Sequence, residues 1–248
     1  MKIGQIELGI TPTIVGTLAD QLDLPTEEVE SIDLFEIRID MLPEDKLGNL
    51  KELIKTLKVK YRKPLIVTIR SKKEGGILEI SDDRRYSIFK DIISEIDIVD
   101  VELSSGDLLI KISGLCKENK KILLGSYHNF SETPSEDFLE RLTSEGKEKG
   151  ADIIKIAVQS NSKDDVSELL SFTIKNAKSN LVTISLGNIG LISRIVNPLM
   201  GSLMTYGYID KASSPGQISA FELVEKLRFF DPAYNELLIN RLQLLESA

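Results

Sequence analysis

The sequence predicts an α/β fold, a single (β/α)8 barrel of the TIM type, on three observations. Eight short β-prone runs alternate with eight helical runs, at spacings of about 25 to 35 residues, as βα units require. The 248 residues are the length such a barrel needs. Five consecutive strands also carry polar residues in phase on one face, late in each strand. A doubly wound sheet would alternate in the same way but rarely needs eight units. No linker, low-complexity tract or repeat divides the chain, so residues 1–248 are expected to form one domain.

Taken in order, residues 5–8 form a short N-terminal extended segment that caps the barrel floor, and residues 12–15 begin the barrel. Residues 17–30 are helical, interrupted by Pro25. Residues 32–39 are a strand. Residues 43–60 repeat Leu47, Leu50, Leu53, Ile54 and Leu57 with a helical period. Residues 64–70 are a strand, and residues 71–80 a polar loop containing glycine. A helix at 82–94 starts on Ser81 as N-cap. Strand 98–103, helix 108–117 and strand 121–126 follow. Helix 135–149 stops at Gly150. Residues 151–158, ADIIKIAV, form a buried strand. Helix 163–177, strand 181–186, a short helix at 189–198, strand 201–206 and helix 217–230 complete the alternation. Pro232 stops that helix. One further C-terminal helix at about 233–245 presents an apolar stripe of Leu237, Leu238, Leu242 and Leu245, with Ile239 beside it. An isolated helix of that length is marginal, so the stripe must dock, on the barrel wall in preference to a second subunit.

Composition narrows the function. A hydrophobic share of 42% gives an ordinary globular core, and a net charge of −8 without a basic tract argues against nucleic acid. No apolar run is long enough to span a membrane, and the N-terminus lacks a signal-peptide pattern. A soluble, cytoplasmic protein is expected. The single cysteine, Cys116, and the single histidine, His128, exclude an intrachain disulfide and any Cys- or His-rich metal site, so no metal is expected.

Strand polarity narrows it further. Glu36 and Arg38 share a face, opposite Phe35, Ile37 and Ile39. Arg70 lies on the face of Thr68. Asp100 and Glu102 oppose Val99, Val101 and Leu103. His128 lies with Ser126, while Thr183 and Ser185 oppose Val182 and Ile184. An outer face covered by helices must be apolar, so the polar set is expected to point inward. Glu36, Arg38, Arg70, Asp100, Glu102, His128 and Lys155 would then meet at the C-terminal mouth, where barrel active sites lie.

Lys155 stands mid-strand, where burial favours a neutral, nucleophilic amine. The blander readings are a lysine that snorkels or pairs with a carboxylate, and a salt-bridged network that plugs the barrel. Several arginines invite an anionic substrate. His128 can carry protons near neutral pH. There is no GxGxxG or P-loop, and no cofactor is expected.

These residues sit in stretches that resemble the type I 3-dehydroquinate dehydratases: FEIRID (35–40), TIRSKKEGG (68–76), VDVEL (99–103), SYHNF (126–130), IIKIAV (153–158), GLISR (190–194) and SSPGQIS (213–219). They span most of the chain in the family's order. The resemblance implies that Lys155 forms an imine with the ketone of 3-dehydroquinate. It implies His128 as general acid and base, held by Glu74 and Asp100. Glu36, Arg38 and Arg70 would bind ring hydroxyls and order the site. Arg194, Ser213 and Gln217 would grip the substrate carboxylate, the last two from a mobile lid. Syn elimination of water would give 3-dehydroshikimate, a step of aromatic amino-acid biosynthesis. A homodimer is implied, without a metal or a fused dehydrogenase domain. The SLGNIG stretch (185–190) departs from the methionine-containing sequence implied there, which bears on the pocket wall. The tail beyond residue 232 extends past where many members stop. A Schiff-base aldolase on the same fold would explain Lys155 but not the single histidine together with SSPGQIS. A catalytically dead barrel that binds a metabolite would be expected to have lost Lys155 or His128.

Overall fold

The computed structural model describes residues 1–19, 29–212 and 216–246. Eight parallel strands form one sheet in the order β10-β3-β4-β5-β6-β7-β8-β9, a nearly closed barrel. The strands are β3 (Ile14–Leu18), β4 (Leu34–Arg38), β5 (Leu65–Thr68), β6 (Ile98–Glu102), β7 (Ile122–Asn129), β8 (Ile153–Gln159), β9 (Leu181–Leu186) and β10 (Thr205–Tyr208). They are buried on both faces and Val/Ile/Leu-rich, as parallel strands under helices must be. Before them an antiparallel hairpin pairs β1 (Lys2–Ile3) with β2 (Ile6–Glu7).

The hairpin closes the barrel floor. Ile3 and Leu8 pack with Val15, Leu34, Ile66, Ile98, Leu124 and Ile153, the inward residues at the N-terminal ends of their strands. Polar side chains are thus left for the opposite mouth. At the seam, the Leu203 N–H donates to Leu181 O at 2.7 Å, and the Thr183 N–H donates to Ser202 Oγ at 3.1 Å. The last strand begins later than its sequence suggests, at Thr205 instead of residue 201. Met200 and Ser202 both donate their N–H groups to Asn197 O, and Gly201 has φ +116°, so residues 200–202 turn the chain off the end of the preceding helix.

Other expectations shift for local reasons. The helix expected over 43–60 is two helices, Glu44–Leu47 and Leu50–Tyr61, parted at Gly48 and Asn49. The expected 189–198 helix is likewise Gly187–Gly190 followed by Ser193–Leu199. Of the helical region expected over 17–30, residues 20–28 lie outside the described residues, and Thr17 and Leu18 belong to β3. Strand β9 reverses its expected orientation. Val182, Ile184 and Leu186 point inward. Thr183 Oγ1 faces the helices instead, 2.6 Å from Thr173 Oγ1 and 3.0 Å from the donor Asn197 Nδ2. A buried hydroxyl can lie under helices when they carry its partners.

The C-terminal helix, Pro232–Glu246, docks on its own barrel. Tyr234 and Leu238 are buried, and Leu242 packs against the same core. Arg241 Nη1 donates to Asp33 Oδ1 at 2.6 Å, while Asp33 Oδ2 accepts the Ile14 N–H at 2.7 Å where β3 begins. The docking stripe is therefore Tyr234, Leu238, Arg241 and Leu242. Leu237 is 42% exposed and does not belong to it. The Leu245 side chain lies outside the described residues. Leu238→Ala should cost about 2–4 kcal/mol in urea unfolding, the range for a buried leucine that leaves a cavity; an unchanged midpoint would mean that the helix is not docked.

Candidate active site

The sequence places one or two inward polar residues toward the C-terminal end of each of several strands, and the barrel brings them together. The resulting cavity is lined among others by Thr17, Glu36, Arg38, Arg70, Glu74, His128, Lys155, Arg194, Tyr206 and Gln217. Lys155 projects inward from β8, beside Ser126 of β7 in register. Its Nζ donates to Asp100 Oδ2 at 2.7 Å, lies 3.8 Å from Glu36 Oε1, and sits 4.6 Å from the centre of the Tyr206 ring. Lys155 is 4% exposed, which excludes snorkelling to solvent.

Asp100 is the hub. Its Oδ1 accepts from Arg70 Nη2 at 2.9 Å and from Ser126 Oγ at 2.6 Å. Burial alone would raise the Asp100 carboxyl, but Arg70, and after it Lys155, hold it below the usual carboxylate range. Arg70 also reaches Glu102 Oε1 at 3.1 Å. Burial works against the Arg70 charge, yet Asp100 and Glu102 raise its pKa on balance, so it stays cationic. Glu36 is fixed by two threonine hydroxyls: Thr68 donates to Oε1 at 2.7 Å and Thr17 to Oε2 at 3.1 Å. Arg38 is clamped bidentately by Asp40, at 2.9 and 2.7 Å. Asp40 in turn accepts the backbone N–H of Arg70 at 3.1 Å.

The second half of the site is a histidine–glutamate pair. Glu74 Oε2 accepts the His128 backbone N–H at 2.9 Å and lies 3.0 Å from His128 Nδ1. Its Oε1 accepts from Ser104 Oγ at 2.6 Å. An ionised Glu74 makes Nδ1 the donor and leaves the Nε2 lone pair free to act as a base. Burial pushes the Glu74 carboxyl up to about 7, against the pull of the Ser104 bond and Arg70. Burial, with Arg70 and Lys155 adding to it, pushes the His128 imidazole well below its ordinary value, so it is neutral at pH 7. Phe130 stacks on the His128 ring at 6.4 Å, and a Cβ on Gly75 (φ +88°) would lie 2.8 Å from that phenyl ring.

Arg194 comes from the helix after β9. Its Nη1 donates to Tyr206 O at 2.8 Å and its Nε to Gly216 O at 3.0 Å, so the same guanidinium that lines the cavity also ties down β10 and the loop after it. Burial lowers its pKa to about 10, and it remains a cation at neutral pH. Gln217 lines the cavity beside it, and Gly216 (φ +70°) lets that loop press against Gly187, whose carbonyl oxygen lies 2.4 Å from where a Cβ would be. Ser213 lies outside the described residues.

The expected residues other than Ser213 therefore share one cavity or its immediate wall. One expected contact differs: Asp100 is hydrogen-bonded to Lys155, Arg70 and Ser126, and Glu74 is the carboxylate that holds His128. Sequence reasoning missed Tyr206, Asp40 and Thr17. Tyr206 stands at the end of the strand expected over 201–206, Asp40 stands just past its strand, and Thr17 lies in the region expected to be helical. Ser126 was in view, since it shares the face of His128. The departure at 185–190 has a structural counterpart: with Ile184, Leu186 supplies an aliphatic wall. Among the described residues no group of His, Cys, Asp and Glu side chains is arranged to hold a metal ion.

Comparison with known proteins identifies the family. The family model described as type I 3-dehydroquinase matches residues 11–233. The 3-dehydroquinate dehydratase of Thermodesulfovibrio yellowstonii is 39% identical over 86% of this chain and 93% of its own length. The crystal structure of the type I 3-dehydroquinate dehydratase from Clostridium difficile, determined with covalently modified comenic acid, superposes with a TM-score of 0.83. It is 28% identical and covers 94% of this chain and 98% of that one. The Aquifex aeolicus enzyme structure gives a TM-score of 0.75 at 34% identity, covering 88% of this chain and 99% of that one. By its sequence and its barrel, this chain belongs to the type I 3-dehydroquinase family of hydro-lyases.

Proposed function

We propose that this chain dehydrates 3-dehydroquinate to 3-dehydroshikimate through a Schiff base on Lys155, as a cytoplasmic homodimer serving aromatic amino-acid biosynthesis. The observation that carries the reading is the Lys155 amine, buried between two carboxylates and an aromatic ring in a cavity that also holds one oriented, neutral histidine. No cofactor enters the reaction. The homodimer has support in the exposed Phe229 and Phe230, whose rings meet edge to face at 5.1 Å and form an apolar patch at the end of the helix Ala220–Phe230. No described helix is long and apolar enough to cross a membrane.

In this mechanism the Lys155 ammonium, paired with Asp100 at rest, gives up one proton as its Nζ attacks the ketone carbon, and that proton goes to the carbinolamine hydroxyl, which leaves as water as the iminium forms. The iminium is a stronger electron sink than the ketone, so the adjacent C–H becomes acidic. Neutral His128, oriented by Glu74, removes that proton and an enamine results. The enamine electrons expel the β-hydroxyl, which takes the proton back from His128 and departs as water. Hydrolysis of the product iminium returns the Lys155 amine. A single base on one face of the ring suits a syn elimination. Asp100 and Glu36 flank the cationic nitrogen throughout and, with the Tyr206 face, stabilise its charge. Glu36, Arg38 and Arg70 order the ring hydroxyls. Arg194 and Gln217, which line the cavity, hold the carboxylate, and the resemblance adds Ser213 to them.

Borohydride added with 3-dehydroquinate should inactivate the protein and leave a reduced adduct on the Lys155 peptide in mass spectrometry. Inactivation with Lys155 unmodified would overturn the Schiff-base reading. His128→Ala should lower kcat by about 10²- to 10⁴-fold while adducts still form; turnover near the wild-type rate would make His128 a structural residue. The pH profile has a defined sign. Glu74 protonates as pH falls through about 7 and loses the negative charge that holds Nδ1 as the donor and favours proton uptake at Nε2, so activity should fall on the acid side of about pH 7. Glu74→Gln should remove that limb, and a limb unchanged in the variant would assign it elsewhere.

A further inference from the structure

Behind the cavity, outside the barrel wall, stands an arginine that touches no cavity residue except through one carboxylate. Arg85 lies on the helix Asp82–Ile92 and is 2% exposed. Its Nη2 donates to Glu102 Oε2, and its Nη1 donates to Asp82 Oδ1 at 3.1 Å and Ser105 Oγ at 3.4 Å. Its Nε is buried with no partner among the described residues. An apolar side chain would fill that helix face at lower cost than a buried guanidinium with an orphaned N–H. What Arg85 provides is charge behind Glu102.

Glu102 sits between two cations. Its Oε2 takes Arg85 and Ser105 Oγ (2.9 Å). Its Oε1 takes Arg70 Nη1 (3.1 Å) and the Ser71 N–H (2.8 Å). Arg70 divides its other bonds between Asp100 Oδ1 and Ser126 Oγ, and Asp100 Oδ2 holds Lys155. The chain Arg85–Glu102–Arg70–Asp100–Lys155 alternates in sign at every step. Resting on the Schiff-base reading above, we propose that Arg85 is a positioning residue for the lysine chemistry: it holds Glu102 from behind, and so keeps Arg70 turned toward Asp100 and Ser126. Without it, Glu102 has Arg70 as its one cation and draws the guanidinium off Asp100. Asp100 then has Lys155 as its one cation, and the amine is less available for attack.

The test compares Arg85→Gln, which keeps a hydrogen-bond donor and most of the volume, with Arg85→Lys, which keeps the charge. Turnover of 3-dehydroquinate is measured per competent site, counted by borohydride trapping at Lys155. The glutamine variant should lose about ten- to a hundredfold in kcat, as for one charge-assisted hydrogen bond. The lysine variant should recover to within about threefold of wild type. A glutamine variant with wild-type kcat per trapped site, whatever its melting temperature, overturns the proposal, because a purely structural Arg85 would change the number of competent sites and not their rate. A lysine variant as slow as the glutamine variant also overturns it, since charge would then not be the cause. Wild-type protein that neither turns over 3-dehydroquinate nor traps at Lys155 would instead refute the underlying functional reading, which the Arg85 comparison does not touch.

Discussion

The structure depends on one carboxylate. Asp100 is fully buried and accepts hydrogen bonds from Arg70, Ser126 and Lys155. A buried ammonium or guanidinium is tolerated only beside a compensating charge with good geometry, and a barrel interior offers no solvent to supply one. Asp100 satisfies two cations at once, one on each oxygen. Around it the remaining charges are also matched: Arg38 with Asp40, Glu102 with Arg70 and Arg85, and Glu74 with Ser104 and the His128 N–H. The amine and the imidazole occupy the centre of this network.

That network follows from the barrel's division of labour. The N-terminal half of the interior is apolar and is sealed by Ile3 and Leu8 of the hairpin segment, which concentrates polarity at the other end. Parallel strands then deliver Glu36, Asp100, Ser126 and Lys155 at neighbouring heights, from β4, β6, β7 and β8. Arg194 joins fold and function most directly. It lines the cavity while bonding Tyr206 O and Gly216 O, so the cation that would meet a substrate carboxylate also fastens the final strand and the loop above it. Tyr206, on that strand, presents its ring to Lys155.

Much of this was legible in the sequence, for a physical reason. Period-2 polarity in strands that must be apolar outside forces the polar set inward, and that argument correctly gathered Glu36, Arg38, Arg70, Asp100, His128 and Lys155. It failed at β9, where Thr183 faces outward because Thr173 and Asn197 satisfy it, a partnership between distant elements that periodicity cannot register. It failed at β10 because a turn built on Asn197 carbonyl bonds displaced the strand, hiding Tyr206. The tail helix was found but its face was misjudged: Arg241 looked like a solvent residue, and its partner Asp33 lies far away in sequence. Which carboxylate serves which base was equally beyond pattern reading. The three-dimensional arrangement pairs Glu74 with the imidazole and Asp100 with the amine.

The central claim is that Asp100 is held in place by charge balance with Lys155 and Arg70. The direct test is a double-mutant cycle on stability, with Asp100→Asn, Lys155→Met and the double variant unfolded in urea. Asp100→Asn alone leaves buried cations short of a counter-charge and should cost about 3–5 kcal/mol. Lys155→Met should relieve part of that cost, giving a coupling of about 1–3 kcal/mol between the two positions. Additivity within about 0.5 kcal/mol would contradict the account, because the amine and the carboxylate would then be energetically independent.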